Sequence, residues 1–113
     1  MSKILICAKE EGMRESWKLI LEDIHELIVC TDIEQTMDVL QNAPSIKTLI
    51  LDMDEQEQLD KSISTLRSKN TKLKITVISN HKKEEQAKEI VRNGADGYIM
   101  KPLRSEEVLS ICK

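Results

Sequence analysis

The segment Lys47-Thr-Leu-Ile-Leu-Asp-Met-Asp54 constrains the fold more than any other stretch of this chain. Its apolar run, Leu49, Ile50 and Leu51, is short, flanked by polar residues, and stops on Asp52. A continuous run of that length suits a strand covered on both faces, as in a parallel sheet with helices on each side. Asp52 then stands at the carboxyl end of its strand. In an open α/β sheet that edge is where helix N-termini and short loops converge and where ligands bind.

Four more runs of the same kind punctuate the chain: Lys3 to Cys7 (KILIC), Glu26 to Cys30 (ELIVC), Lys74 to Ser79 (KITVIS) and Gly97 to Met100 (GYIM). Helical patterns alternate with them. From Glu11 to Ile24 the apolar residues Met13, Trp17, Ile20, Leu21 and Ile24 fall at three- and four-residue spacings, an amphipathic stripe in which Trp17 reads as a packing residue. Thr31-Asp32 can cap a second helix, with Glu34 placed as in a capping box, the stripe Ile33, Met37 and Leu40, and Asn42-Ala43-Pro44 as its close. A polar loop from Met53 to Gln58 leads to a third helix marked by Leu59, Ile63 and Leu66, which ends in a basic turn around Asn70. A fourth spans Glu84 to Asn93 with Ala87, Ile90 and Val91 inward, and Gly94 stands where a left-handed C-cap is wanted. Ser105 is an N-cap for a fifth, with Glu106 and Glu107 in its first turn and Val108, Leu109 and Cys112 inward. Strands and helices alternating on short loops predict a flavodoxin-like (βα)5 three-layer sandwich, its parallel sheet in the order 2-1-3-4-5.

Composition narrows the function. With 113 residues the chain is read as one domain, 1–113, able to bury a single core. A net charge of −3 with both signs mixed argues against nucleic acid and anionic membranes as partners. One Trp, one Tyr and no Phe leave the core to Ile, Leu, Val and Met and exclude a stacking platform for single strands. No apolar run approaches the ~20 residues of a bilayer span, and the first residues are too short for a signal peptide, so a cytoplasmic place is expected. Cys7, Cys30 and Cys112 match no zinc spacing and read as small buried hydrophobes. His25 and His81, each alone in a polar turn, read as surface.

The strand ends that meet above the sheet are the Cys7-Ala8-Lys9-Glu10 turn, Asp52 and Ser79, with Lys101-Pro102 past the fifth strand. At these residues, and along the whole length through KILIC, LILDMD, ITVISN and NGADGYIMKPL, the sequence resembles the receiver domain of two-component response regulators. The resemblance implies a non-enzymatic signalling module in which Asp52 accepts phosphate from a histidine kinase or phosphotransfer protein. It also implies that Ser79 is the hydroxyl that follows the phosphoryl group, Tyr98 the rotating aromatic and Lys101 the cation. A carboxylate attacking a phosphoryl group brings two anions together, so cations and donors must spread the charge. In the family a Mg²⁺ helps, held by an acid pair after the first strand, by the acceptor Asp and by a backbone carbonyl two residues on, here that of Asp54.

In this chain the acid pair is replaced by Ala8 and Lys9. Glu10 is the nearest acid that could serve Mg²⁺ instead, alongside Asp52 and Asp54. Alternatively Lys9 replaces the metal by pairing with Asp52, or it is merely solvated. The DMDEQEQL loop also lacks the Pro and Gly common in the family, and Asn80 replaces a small residue after the hydroxyl position. Two function classes follow: a phospho-accepting receiver, and a phosphorylation-independent pseudo-receiver that binds a partner or itself. The face of the fourth helix, fifth strand and fifth helix, with Lys88, Arg92, Tyr98 and Arg104, is the candidate surface for partner or self contacts. A flavodoxin-like cofactor binder is weaker, since no Gly-rich loop follows Cys7.

Overall fold

A computed structural model describes residues 3–21, 26–43, 45–52, 56–69, 72–79, 84–100 and 106. Its elements run β1 Lys3–Ala8, α1 Glu11–Leu21, β2 Glu26–Cys30, α2 Ile33–Asn42, β3 Thr48–Asp52, α3 Gln56–Lys69, β4 Lys74–Ser79, α4 Glu84–Arg92 and β5 Gly97–Met100. The strands form one parallel sheet in the order β2-β1-β3-β4-β5, as the alternation of runs predicts. Glu106 is helical, but the rest of the expected fifth helix, Ser105, Glu107, Val108, Leu109 and Cys112, lies outside the described residues, as do Ile24, Pro44 and Asn70.

Period-two alternation along the strands divides the core in two. One side of the sheet sends Leu5, Cys7, Cys30, Leu49, Leu51, Ile75 and Val77 against Leu40 of α2, Ile63 and Leu66 of α3, and Ile90 of α4. The other sends Ile4, Ile6, Ala8, Ile50 and Ile78 against Trp17 and Leu21 of α1. The central strands β1, β3 and β4 are almost wholly buried, as covered parallel strands must be, while β2 at the edge is only partly so.

Three helical expectations need correction. Ile20 is 45% exposed, because Trp17 and Leu21 at i and i+4 set the inward direction of α1 and Ile20 falls to the flank. Val91 of α4 is 48% exposed, since Ile90 alone points to the sheet at that turn. At the start of α2 Asp32 is the cap, with extended backbone and its Oδ1 accepting from the Gln35 amide at 2.8 Å. The residue reaching back is Gln35, not Glu34: its Oε1 accepts from the Thr31 amide and hydroxyl. Gly94 has φ +125° and closes α4 as expected, with amide bonds from Gly94 to Val91 and from Ala95 to Ile90 that satisfy the last carbonyls. No helix of the described residues is long and apolar enough to cross a membrane.

Candidate functional site at the carboxyl edge of the sheet

Asp52 ends β3 between Ala8 of β1 and Ile78 of β4, its register partners on either side. Paired residues of parallel strands leave the sheet on one face, so Asp52 projects toward the α1 side with Ala8 and Ile78. It is only 5% exposed. A carboxylate buried to that degree needs hydrogen-bond donors. Trp17 of α1 supplies one: its Nε1–H donates to Asp52 Oδ2 at 3.0 Å, across 35 residues of sequence.

The end of β1 is held by a second residue of α1. Arg14 Nη1 donates to the carbonyl oxygens of Ala8 and Lys9, at 2.9 and 2.8 Å. This places a guanidinium over the turn into the helix. Lys9 and Glu10 are both exposed there. Ser79 ends β4 one step past Asp52's partner Ile78, is fully buried and pairs in register with Met100. Tyr98, opposite Val77, is half-buried and packs on the core that faces α2, α3 and α4. Lys88 and Arg92 lie exposed on α4, and Arg92 Nη1 meets Glu89 Oε2 at 3.5 Å. Asp54, Asn80, His25, His81, Lys101, Pro102 and Arg104 lie outside the described residues.

Beneath the site Cys7 and Cys30 are register partners on neighbouring strands and both are unbridged thiols. Burial pushes both thiols up from their ordinary value, against the opposing pull of the Thr36 hydroxyl. Neighbouring negative charge, from Cys30, Asp32 and Asp52 at Cys7 and from Asp32 at Cys30, adds to the rise.

Mg²⁺ asks for oxygen ligands in near-octahedral array, usually one or two carboxylates with waters. At the β1 end the described residues offer a buried methyl group, two carbonyl oxygens already accepting from Arg14, and the exposed side chains of Lys9 and Glu10. Among the described residues no three His, Cys, Asp or Glu side chains cluster as metal ligands. Among the described residues, Asp52 is the one buried carboxylate at this edge, and the β1 end adds no second one beside it.

The helical stripe marks Trp17 as a packing residue and gives Arg14 no role. Trp17 is indeed packed, at 2% exposure, but a buried indole N–H requires an acceptor, and that was the available signal. The NGAD motif, by contrast, proves architectural. Arg67 of α3 donates through Nε to the Gly94 carbonyl at 2.9 Å, through Nη1 to the Leu73 carbonyl at 2.6 Å and through Nη2 to Asp96 Oδ2 at 2.6 Å. Asp96 Oδ2 also accepts from the Ile75 amide at 2.8 Å, while its own amide donates to the Ile75 carbonyl at 2.7 Å. The motif thereby seats the start of β5 beside β4.

The family model for the response regulator receiver domain matches residues 4–113. Solved structures agree in fold. A response regulator from Thermotoga maritima is 22% identical, with a TM-score of 0.87 over 97% of this chain and 92% of that one. The chemotaxis protein CheY4 of Vibrio cholerae is 22% identical, with a TM-score of 0.84 over 97% and 94%. NtrX from Brucella abortus is 23% identical, with a TM-score of 0.85 over 99% of this chain but 25% of that longer one. No curated protein matches the chain. With the family matched over nearly the full length, and the sheet order and the acid ending the central strand in place, the chain belongs to the response regulator receiver domains of two-component signalling.

Proposed function

We propose that this receiver domain works without phosphate, as a non-enzymatic, cytoplasmic module, residues 1–113, that signals by binding a protein partner or a second copy of itself. The end of β1 is what supports this reading. Ala8, buried and the register partner of Asp52, carries only a methyl group, and Arg14 already occupies the carbonyls of Ala8 and Lys9 at 2.9 and 2.8 Å. Phosphoryl transfer to a carboxylate needs charge neutralised where the two anions meet. Here the positions from which acids would hold a divalent cation carry a methyl and a lysine. The α4–β5 face is the natural contact surface: Lys88, Arg92 and the 48%-exposed Val91 are displayed on α4, beside the half-buried Tyr98.

A second reading keeps Asp52 as the acceptor of phosphate from a histidine kinase or phosphotransfer protein. The adjacent ends of β3 and β4 favour it, since Ser79 stands one step beyond Asp52's partner and carries a hydroxyl. Incubation of the chain with Mg²⁺ and acetyl phosphate, followed by intact-mass measurement beside an active receiver, separates the two. No phosphoryl adduct is expected on this chain. A Mg²⁺-dependent adduct that disappears in Asp52→Asn would sink the first reading and establish the second.

A further inference from the structure

We propose that Trp17 is a resident partner of Asp52, a latch by which the chain covers one oxygen of its own carboxylate and fastens α1 to the end of β3. The contact joins a donor and an acceptor that are both withdrawn from water. Trp17 is 2% exposed and Asp52 5% exposed, and Nε1 lies 3.0 Å from Oδ2. An indole N–H can only donate and an ionised carboxylate can only accept, so each is the other's complement. A hydrogen bond with one ionised partner is roughly twice as strong as a neutral one, and burial strengthens it further.

The surroundings explain why the ring reaches the acid. Trp17 packs in one cluster with Ile4, Ile6, Ala8, Ile50 and Ile78, the residues that leave the sheet on Asp52's face. Ala8 is the smallest of them, and as Asp52's register partner it sets the room beside the carboxylate. An acid at that position would bring a second negative charge next to Asp52. The methyl leaves the ground to an apolar ring with a polar edge. Arg14, one turn earlier on α1, ties the same helix to the Ala8 and Lys9 carbonyls. The helix is thus tied by side chains to the ends of β1 and β3, and a metal or phosphoryl group reaching Oδ2 competes with the indole for that oxygen. Trp17 acts as a positioning residue, through Asp52.

The latch shares Asp52 with the phosphate-independent reading but stands on a separate observation, and one experiment distinguishes their failures. Trp17 is the chain's only tryptophan, so a ¹⁵N-labelled sample shows a single indole N–H resonance. In the native chain that proton should exchange slowly with water. The resonance should move in Asp52→Asn, and exchange should speed by roughly tenfold or more in Asp52→Ala, the factor that a charge-assisted bond carries. If Asp52→Ala does not fold, the shift in the isosteric Asp52→Asn decides alone. An indole indifferent to the Asp52 variants overturns the latch. Beryllofluoride with Mg²⁺ then tests both ideas on the native chain. No binding, with an indole that responds to Asp52, supports both; no binding with an indifferent indole overturns the latch alone. Binding that releases the indole to solvent overturns the phosphate-independent reading and upholds the latch. Binding at Asp52 with the indole still protected overturns both.

Discussion

Arg67 shows how much one side chain can hold. Its guanidinium spans the carbonyls of Leu73 and Gly94 and the carboxylate of Asp96, three acceptors in the segments before β4 and β5. A planar fork can serve such a set, whereas an ammonium is a single point of charge. Asp96 is part-exposed, so the ion pair by itself contributes little, and the two backbone contacts carry more of the effect. Arg67→Ala should therefore destabilise the domain by about 2 kcal/mol, measured by urea denaturation, and Arg67→Lys should recover only part of it. Gly94 belongs to the same knot. Its φ of +125° suits glycine, and a Cβ there would lie 3.0 Å from Arg67 Cβ.

At the level of elements, helix ends decide more than helix middles. The first turn of α2 is closed by Asp32 and Gln35 acting on each side of the cap, and Thr36 continues it by donating to the Asp32 carbonyl at 2.8 Å. Removing the cap acceptor in Asp32→Ala should cost about 1 kcal/mol in thermal or urea unfolding, whereas Asp32→Asn, which keeps an acceptor, should cost only a few tenths. The sheet makes a different demand. Because β1, β3 and β4 are covered on both sides, their sequences are apolar almost without interruption, and polar residues are tolerated where they find partners, as Asp52 does at the strand end.

For the molecule as a whole, the buried thiols of Cys7 and Cys30 set an alkaline limit. Cys7 and Cys30 ionise above the ordinary thiol value of 9.0 when folded, chiefly because burial disfavours the thiolate. Below that value both states keep their protons and the thiols add no pH dependence. Above it the unfolded chain releases protons that the folded chain retains, so stability falls as pH rises, by at most about 1.4 kcal/mol per pH unit for each thiol. Denaturation midpoints measured from pH 8 to 10 should decline, and replacing both cysteines by alanine should flatten the decline while lowering the starting stability.

The strands, their order and the carboxyl edge that gathers Asp52 and Ser79 were legible in the linear pattern, because covered strands require unbroken apolar runs and short loops leave few ways to connect them. The kinship was legible in LILDMD and NGADGYIMKPL. What periodicity could not resolve was rotation within a stripe. Ile20 and Val91 sit at its margin, where a few tens of degrees separate core from solvent, and only packing against the sheet decides. Nor could it pair residues distant in sequence. The bond from Trp17 to Asp52 depends on the seating of α1 on β1, the register of β1 with β3 and the small volume of Ala8, all acting together. Sequence by itself determined that an acid stands at the end of the central strand, since local apolar patterning is read residue by residue; tertiary structure alone decided what that acid touches, since a hydrogen bond depends on ångström-scale placement of groups from separate elements.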